Sequence, residues 1–216
     1  MPRSEVRRPA RGRPSVARQR ILEVADRLFY AHGVRAVGVD RIVAEAQVTR
    51  MTFYRHFPSK EDLVEAYLRT RAERGRAAVA ALRAATPDDP RAVLDAIARG
   101  IADDCAVEGF RGCEFVNAAA EYSDGSAAAR RLAVEQRAWV VDVAAELLAA
   151  LGRPQPRALA EVLLMLRTGA AFAAGLDRSD TSFALFLQAW DALVDGWVAW
   201  SAPPSASPSA GSVGDA

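Results

Sequence analysis

Apolar residues recur every three or four positions along most of the chain, which is the spacing of an amphipathic helix. The first such run begins at Ser15, directly after Pro14, and ends at His32-Gly33, where glycine accepts the left-handed backbone of a helix stop. Its apolar face consists of Ile21, Ala25, Leu28 and Phe29. No run of alternating apolar and polar residues suits a half-buried strand, and no segment repeats, so the pattern predicts an all-α protein.

Turn and cap residues divide the rest of the chain into further helices. Ser59 is the expected N-cap of the fourth helix, and Gly109 to Gly112 are an expected break. Tyr122-Ser123-Asp124-Gly125 is an expected turn. The predicted helices after the first cover about 39–46, 49–56, 60–85, 90–105, 113–122, 126–151, 157–175 and 181–200.

Both ends of the chain differ in composition from the helical part. Residues 1–14 contain five arginines and three prolines, which is typical of a flexible basic arm. Residues 201–216 are almost entirely Ser, Ala, Pro and Gly, which predicts a disordered tail.

Composition indicates a soluble globular protein: 51% of the 216 residues are apolar and 25% are charged. Charged residues interrupt the apolar stretches before the roughly 20 residues that a membrane-spanning helix needs. No apolar segment follows the basic N-terminus, so a secretory signal is not expected, and the expected location is cytoplasmic. Two cysteines, Cys105 and Cys113, are too few for a disulfide scaffold or a cysteine-rich zinc module.

The net charge of +1 hides an asymmetry along the chain. Residues 1–60 carry 13 basic and 5 acidic side chains, whereas residues 61–216 carry 15 basic and 22 acidic ones. A basic N-terminal segment followed by an acidic remainder suggests that the N-terminal part of the chain contacts a polyanion. The alternative is a solvated basic tail that binds nothing in particular.

Two short helices, joined by a tight turn at Gln47-Val48 and preceded by a third helix, form the pattern of a helix-turn-helix. A major groove about 12 Å wide admits one helix, which must be polar on its outer face. The segment from Thr49 to Phe57 meets this need. Val48, Phe53 and Phe57 are expected to pack inward, and Arg50, Thr52, Tyr54 and His56 to project outward.

The same stretch resembles the DNA-binding domain of the TetR family of bacterial repressors. The most specific signal is the run Thr52-Phe53-Tyr54-Arg55-His56-Phe57-Pro58-Ser59-Lys60-Glu61-Asp62-Leu63. It is preceded by Arg20-Ile21-Leu22, Ala25, Leu28-Phe29, Gly33, Val39, Ile42, Ala46 and Val48. The resemblance is dense over residues 15–65 and weaker beyond them. It implies a DNA-binding domain at 15–65, with its motif at about 38–57, and a helical domain for effector binding and dimerisation at 66–200.

The resemblance also implies roles for single residues. Phosphate contacts are expected from Thr49, Tyr54, His56 and Lys60, and base-edge contacts from Arg50 and Thr52. Arg41 is a further candidate for its own position at the start of the second helix, where it can contact the DNA backbone. Lys60 is the only lysine in the chain and begins a helix, where anions are favoured. Four alternatives stay open. Tyr54 could pack in the core, and His56 could be an ordinary surface side chain. Arg41 could make no DNA contact, and Arg55 could form a structural salt bridge.

Two positions depart from the family pattern. The turn position that is usually glycine is Gln47, for which a left-handed backbone costs more. The second helix usually opens with Ser or Thr, but here Gly38 stands at that position and offers no side-chain acceptor.

The last two helices carry apolar stripes, and the resemblance implies that they form a four-helix homodimer interface. The stripes are Leu159, Val162, Leu163, Leu166, Gly169, Ala170 and Ala173, then Phe183, Phe186, Leu187, Trp190, Leu193, Val194 and Trp197. Burial of both stripes within one subunit is the alternative. A dimer would place two recognition helices on a palindromic double-stranded DNA operator, in major grooves about 34 Å apart.

An enclosed effector site is also implied by the resemblance. Its candidate residues on the middle helices are Phe110, Phe115, Asn117, Glu121, Tyr122, Trp139, Met165 and Phe172. Asn117 and Glu121 share a helix face and are expected to orient a polar group of a small hydrophobic or aromatic effector. The alternative is that one of them binds backbone and the other faces water.

Together these expectations describe a cytoplasmic, homodimeric transcriptional regulator that represses until an effector releases it from DNA. We find no phosphate-binding glycine loop, no Ser-His-Asp set and no metal-ligand cluster, so no enzyme activity, cofactor or metal is expected. Cys105 and Cys113 have acidic neighbours in sequence, which favours buried apolar roles over a thiol switch. A DNA-binding protein that ignores small molecules would instead have a filled core.

Overall fold

The structure is a computed structural model that describes residues 15–122, 128–176 and 180–196, without the side chains of residues 180–182. The predicted arm, the tail, the turn residues 123–125 and Trp197 lie outside the described residues. Within those residues the chain is helical and contains no strand, which confirms the expected all-α class. The helices are α1 (Val16–His32), α2 (Val39–Glu45), α3 (Arg50–His56), α4 (Lys60–Ala85), α5 (Pro90–Ala106), α6 (Glu114–Glu121), α7 (Ala128–Ala150), α8 (Pro156–Leu176) and α9 (Asp180–Asp195).

Side-chain caps set the helix starts in the first third of the chain. The Ser15 hydroxyl accepts a hydrogen bond from the backbone of α1, and the Thr49 hydroxyl accepts one from the Thr52 amide at 3.1 Å. Ser59 and Asp62 form a reciprocal capping box at the start of α4, with both backbone bonds at 3.0 Å. Each cap satisfies an amide that the helix leaves unpaired, so the predicted starts of these three helices are confirmed.

The first hydrophobic core lies among α1, α2, α3 and α4. Ile21, Leu28, Ile42, Phe53 and Leu63 are fully enclosed there. Four residues of α6 and α7 complete the same core: Phe115, Ala118, Ala129 and Leu132. Helix α6 is therefore packed directly onto the helix-turn-helix unit.

The second core lies among α5, α7, α8 and α9. It includes Leu94, Leu148 and Leu163, and partly buried Leu82 near the end of α4 packs against it. Helix α4 begins in the first core and ends against the second, so one continuous helix joins the two halves.

The apolar stripe of α9 is largely used within the chain. Phe186, Trp190 and Val194 are buried in the second core, as are Leu159 and Leu163 of α8. These five side chains are therefore not free to form a dimer interface, which corrects the expected composition of that surface.

The turn between α2 and α3 has the left-handed backbone expected at its glycine position, although the residue is glutamine. Gln47 has a φ of 53°. Helix α2 begins after Gly38, which makes no side-chain cap hydrogen bond. Gly38 thus leaves the start of α2 without a side-chain cap, as predicted, and Gln47 adopts the left-handed backbone despite its higher cost.

Candidate nucleic-acid interface and ligand cavity

Helix α3 is held by its aromatic side chains and leaves its other face open. Phe53 and Phe57 are buried in the first core, and Val48 is partly buried beside them, as predicted. The guanidinium of Arg18 lies over the ring of Phe57, 5.1 Å from the ring centroid. Because α3 is fixed by apolar contacts on one side, its polar side is presented to solvent in a fixed orientation.

The candidate base-reading and phosphate-binding side chains of α3 lie on this open face. Arg50 and Tyr54 are exposed, and the tyrosine retains 48% of its accessible surface. Thr52 is half-buried, and its hydroxyl accepts a hydrogen bond from the Thr49 hydroxyl at 3.0 Å. Arg50 forms an ion pair with Asp40 at 2.5 Å, but both side chains are about two-thirds exposed, so the pair is weak and readily exchanged.

Three other candidates have partners inside the protein. Arg41 donates to Glu45 and lies within hydrogen-bond distance of His32. The Nε2 atom of His56 lies 3.1 Å from the Ser15 hydroxyl, and the Lys60 amine donates to the Arg35 carbonyl oxygen at 3.4 Å.

Burial lowers the pKa of the Lys60 amine. A phosphate contact from Lys60 or Arg41 would replace an existing hydrogen bond, so each would yield less net binding energy than a free cation.

Sequence reasoning missed one side chain on the open face. Met51 stands between Arg50 and Thr52 and is 80% exposed, which is unusual for an apolar residue. Its position in the first turn of α3 was the available signal. A thymine methyl group is a suitable contact for such a side chain.

A large cavity, partly open to solvent, lies beside the first core and is lined by residues of α4 to α9 and of the end of α1. Its volume is about 850 Å³, which is within the range of sites for small organic ligands. Most of its wall is apolar or aromatic; this part of the wall includes Leu94, Ile97, Ile101, Phe110, Phe115, Trp139, Leu163, Leu164 and Trp190.

Four arginines also line the cavity, and three of them are paired with carboxylates. Arg27 is paired with Glu45, while Arg71 and Arg74 are both paired with Asp26. Arg167 is half-buried and has no ion-pair partner among the residues that the structure describes. It is therefore the lining cation with charge available for a ligand.

Two further polar atoms in the cavity wall lack partners within the described part of the chain. They are the indole Nε1 of Trp190 and the side-chain oxygen Oε1 of Gln136, both inaccessible to solvent. Neither atom is exposed at the cavity surface, so a ligand could supply the missing partner only after neighbouring side chains move. The wall also carries the carboxylates of Asp104, Glu108 and Glu114, so the cavity combines one unpaired cation with three carboxylates in a largely apolar lining.

Comparisons with known proteins agree with this geometry. The family model for bacterial regulatory proteins of the tetR family matches residues 21–67. SCO4454, a TetR-family transcriptional regulator from Streptomyces coelicolor, is 42% identical in sequence to this chain. Its crystal structure matches with a TM-score of 0.79 over 83% of this chain and 95% of its own.

The chain belongs to the TetR family.

Two more distant structures share the TetR-family fold. Regulatory protein TetR from Rhodobacter sphaeroides is 23% identical, with a TM-score of 0.72 over 82% of this chain and 97% of that one. The reduced form of NemR from E. coli is 22% identical, with a TM-score of 0.74 over 82% and 95% of the two chains. No curated protein matches the chain. The family assignment makes this protein a DNA-binding transcriptional regulator.

The cavity of this TetR-family protein contains only some of the predicted effector residues. Phe110, Phe115 and Trp139 line it. Asn117 and Glu121 lie outside it and both bind backbone: the Asn117 amide donates to the Arg111 carbonyl oxygen, and the Glu121 carboxylate accepts from two amides of the loop after α1. Their expected role in orienting a ligand in the large cavity is therefore corrected.

The other three predicted effector residues also lie away from the cavity. Tyr122 packs against the first core. Met165 and Phe172 are 59% and 69% exposed on the outer face of α8, so they do not line an enclosed site. Helix α8 is apolar on more than one face, and the sequence pattern alone did not indicate which face points inward.

Cys105 takes the buried role that its sequence neighbours suggested, whereas Cys113 is only partly buried and lines the cavity. Cys105 is buried, and burial together with Asp104 raises the pKa of its thiol. Cys113 is half-buried at the start of α6. Within the described ranges, no group of three or more His, Cys, Asp or Glu side chains is placed to hold a metal ion.

By length and composition alone, α8 would qualify as a membrane-spanning helix, and only 28% of its most apolar window is buried within the chain. The helix packs against α5, α7 and α9 in the second core. Its remaining apolar surface is an outward face that is not covered by the described residues.

Proposed function

We propose that this TetR-family regulator is a cytoplasmic homodimeric repressor that binds a palindromic operator and is released from it by a small hydrophobic or aromatic effector. The observation that carries the proposal is the large cavity built directly against the helix-turn-helix unit. A protein that only held DNA would gain stability by filling such a volume with side chains.

Operator binding is assigned to the open face of α3. Arg50 and Thr52 reach base edges there, while Thr49, Tyr54 and His56 bind phosphates. Displacing the weak Asp40 pair frees the Arg50 guanidinium for a bidentate contact with guanine, which contributes about 1–3 kcal/mol of discrimination. Arg41 and Lys60 contribute after giving up their internal hydrogen bonds.

Dimerisation is assigned to the outward faces of α8 and α9. Met165, Phe172 and Leu176 follow at intervals of seven and four residues and share one face of α8, and all are more than half exposed. Leu185 of α9 is 58% exposed. Exposed apolar side chains on two helices that pack together are typical of a symmetric interface.

The effector is assigned to the cavity by the chemistry of its wall. An aromatic body fits among Phe110, Phe115 and Trp139, and an anionic group on the same molecule would meet the unpaired guanidinium of Arg167. A ligand that favours one separation of the two recognition helices shifts the dimer toward that state by its differential affinity. Release of the operator follows when the favoured separation no longer matches successive grooves.

The proposal is tested by selecting an operator from a library of random DNA duplexes and then titrating ligands against the complex. Two dyad-related half-sites are expected in the selected sequences. Aromatic carboxylic acids, compared with their methyl esters, should raise the melting temperature of the free protein and lower its operator affinity. Arg167→Met should remove the preference for the acid over the ester without reducing DNA binding.

Failure to select any dyad-symmetric site at low salt would refute the operator assignment. Transcription from a promoter that carries the selected site should fall when the protein is added and recover with the ligand. A rise in transcription on adding the protein would refute the repressor assignment.

A further inference from the structure

The carboxylate of Glu121, at the end of α6, is bonded to the loop that connects α1 with α2. Its Oε1 atom accepts a hydrogen bond from the Val34 amide at 3.0 Å, and its Oε2 atom accepts one from the Arg35 amide at 2.6 Å. Both oxygens of one side chain are therefore used to hold two consecutive amides of the helix-turn-helix unit. Hydrogen bonds to an ionised acceptor are among the stronger ones in proteins.

The loop is shaped to let this carboxylate approach. Gly33 has a φ of 86°, and a methyl group on its Cα would lie 2.7 Å from the Oε1 atom of Glu121. A residue with a side chain would force these groups apart. On the other side of the same loop, the Arg35 carbonyl oxygen accepts from Lys60 at the start of α4. One short loop thus connects α6, α1 and α4.

A second set of hydrogen bonds ties the segment before α6 to the end of α1. The Tyr30 hydroxyl donates to the Gly112 carbonyl oxygen at 3.2 Å and accepts from the Arg111 amide at 3.1 Å. The Arg111 guanidinium donates to the Ala31 carbonyl oxygen, and Asn117 holds the Arg111 carbonyl oxygen at 2.7 Å. The chain from Arg111 to Glu121 is therefore attached at one end to the last turn of α1 and at the other end to the loop that follows α1.

This attached segment is also part of the cavity wall. Phe110, Gly112, Cys113, Glu114 and Phe115 all line the cavity. A ligand that displaces this wall must either stretch the bonds to α1 and its loop or carry that loop along. Since α2 begins at Val39, directly after the loop, a displaced loop changes the placement of α2 and α3.

We propose that Glu121 is a positioning residue that couples the cavity to the recognition helix through the loop at residues 33–38. This inference rests on the proposed function and adds to it a direct connection through α6, parallel to the continuous helix α4. Without the Glu121 carboxylate, the cavity and the operator site remain intact, but α6 no longer responds fully when α3 is engaged. By linkage, operator binding that favours one state of the cavity wall changes the affinity for a cavity ligand by the same factor as that ligand changes operator affinity.

The test uses this reciprocity and needs no identified effector. Hydrogen–deuterium exchange is measured on the full-length protein, with and without an operator duplex selected from random DNA. In the wild type, operator binding should change the exchange of peptides from residues 107–122 by about fivefold or more, the lower end of typical coupling between sites. In Glu121→Ala the change should fall below about twofold, while operator affinity stays within about threefold of wild type.

Two further variants keep the result interpretable. Glu121→Gln retains one acceptor oxygen and should give an intermediate change, which also covers the case in which Glu121→Ala fails to fold. Glu73→Ala removes an exposed carboxylate from α4 and should behave as wild type.

An operator-dependent change at residues 107–122 that is as large in both Glu121 variants as in wild type would overturn the inference. So would a wild-type protein that binds its operator with no change in that segment. If the wild type selects no operator at all, the proposed function itself fails, and the coupling role fails with it.

Discussion

Replacing Phe172 with arginine should separate the proposed dimer without unfolding the subunit. The phenyl ring is 69% exposed on α8, alongside Leu176 at 71% and Met165 at 59%, and Leu185 on α9 is 58% exposed. Complete burial of such a side chain contributes about 1.5–3 kcal/mol, so covering the exposed part of each contributes about 1–2 kcal/mol. Two-fold symmetry counts every side chain twice, which gives an upper bound of about 8–16 kcal/mol for the four positions.

This total is comparable with the cost of association, about 4–15 kcal/mol, so the margin of dimer stability is narrow. Phe172→Arg removes about 2–4 kcal/mol from the pair of subunits and buries two guanidinium groups in addition. We therefore expect the dimer dissociation constant to rise by at least about two orders of magnitude. Helical content should not change, because most of the ring contacts nothing within its own subunit.

Sedimentation velocity over a range of protein concentrations measures this change directly. Val134→Arg is the matched control, because Val134 is 61% exposed on α7, outside the proposed surface. The control should sediment as the wild type does. A Phe172→Arg dimer as stable as the wild-type dimer would refute the assignment of this face, as would a wild type that is monomeric at micromolar concentration.

Three other predictions concern the helix-turn-helix unit. The left-handed backbone at Gln47 costs a residue with a side chain about 1–2 kcal/mol, and Gln47→Gly relieves this cost. The melting temperature measured by calorimetry should therefore rise by about 1–4 °C. An unchanged or lower melting temperature would show that this φ carries no strain. Hydrogen bonds from Arg27 and Arg41 lower the pKa of Glu45, so Arg41→Ala should raise this pKa in a carboxyl NMR titration. The ionised carboxylate stabilises the fold fully above the pKa that Glu45 has in the unfolded chain. This stabilisation is lost as the pH falls through the lower pKa that Glu45 has in the folded protein. Arg50→Ala should weaken base preference at one operator position by about 1–3 kcal/mol and leave the salt dependence of DNA binding nearly unchanged. If the slope of log affinity against log salt concentration falls by about one unit instead, Arg50 contacts a phosphate.

The sequence predicted the local features of the fold well, because short-range rules govern them. Thr49 and Ser59 cap helices where their hydroxyls meet unpaired amides, and Phe53 is buried where helical spacing places it. Gln47 adopts the left-handed backbone of its turn. Each of these outcomes depends on a few neighbouring residues.

The candidate sites were harder to predict because they depend on which surfaces meet in space. Asn117 and Glu121 were expected to share a helix face and to orient a ligand, but the packing of α6 turns both toward backbone groups and away from the large cavity. Arg167 and Gln136, two polar residues of the cavity wall, have no distinguishing signal in the sequence; they stand out only because the fold leaves them without partners among the described residues. Phe172 could not be placed because α8 has more apolar surface than its own subunit covers.

The single lysine of this protein has a practical consequence. Its side-chain amine lies at the start of α4, and the lowered pKa leaves more of it uncharged at a given pH, which favours acylation. An amine-reactive fluorophore would therefore have one side-chain target in each subunit. In a dimer, energy transfer between two such labels would measure the distance between the two helix-turn-helix units, in solution and in real time.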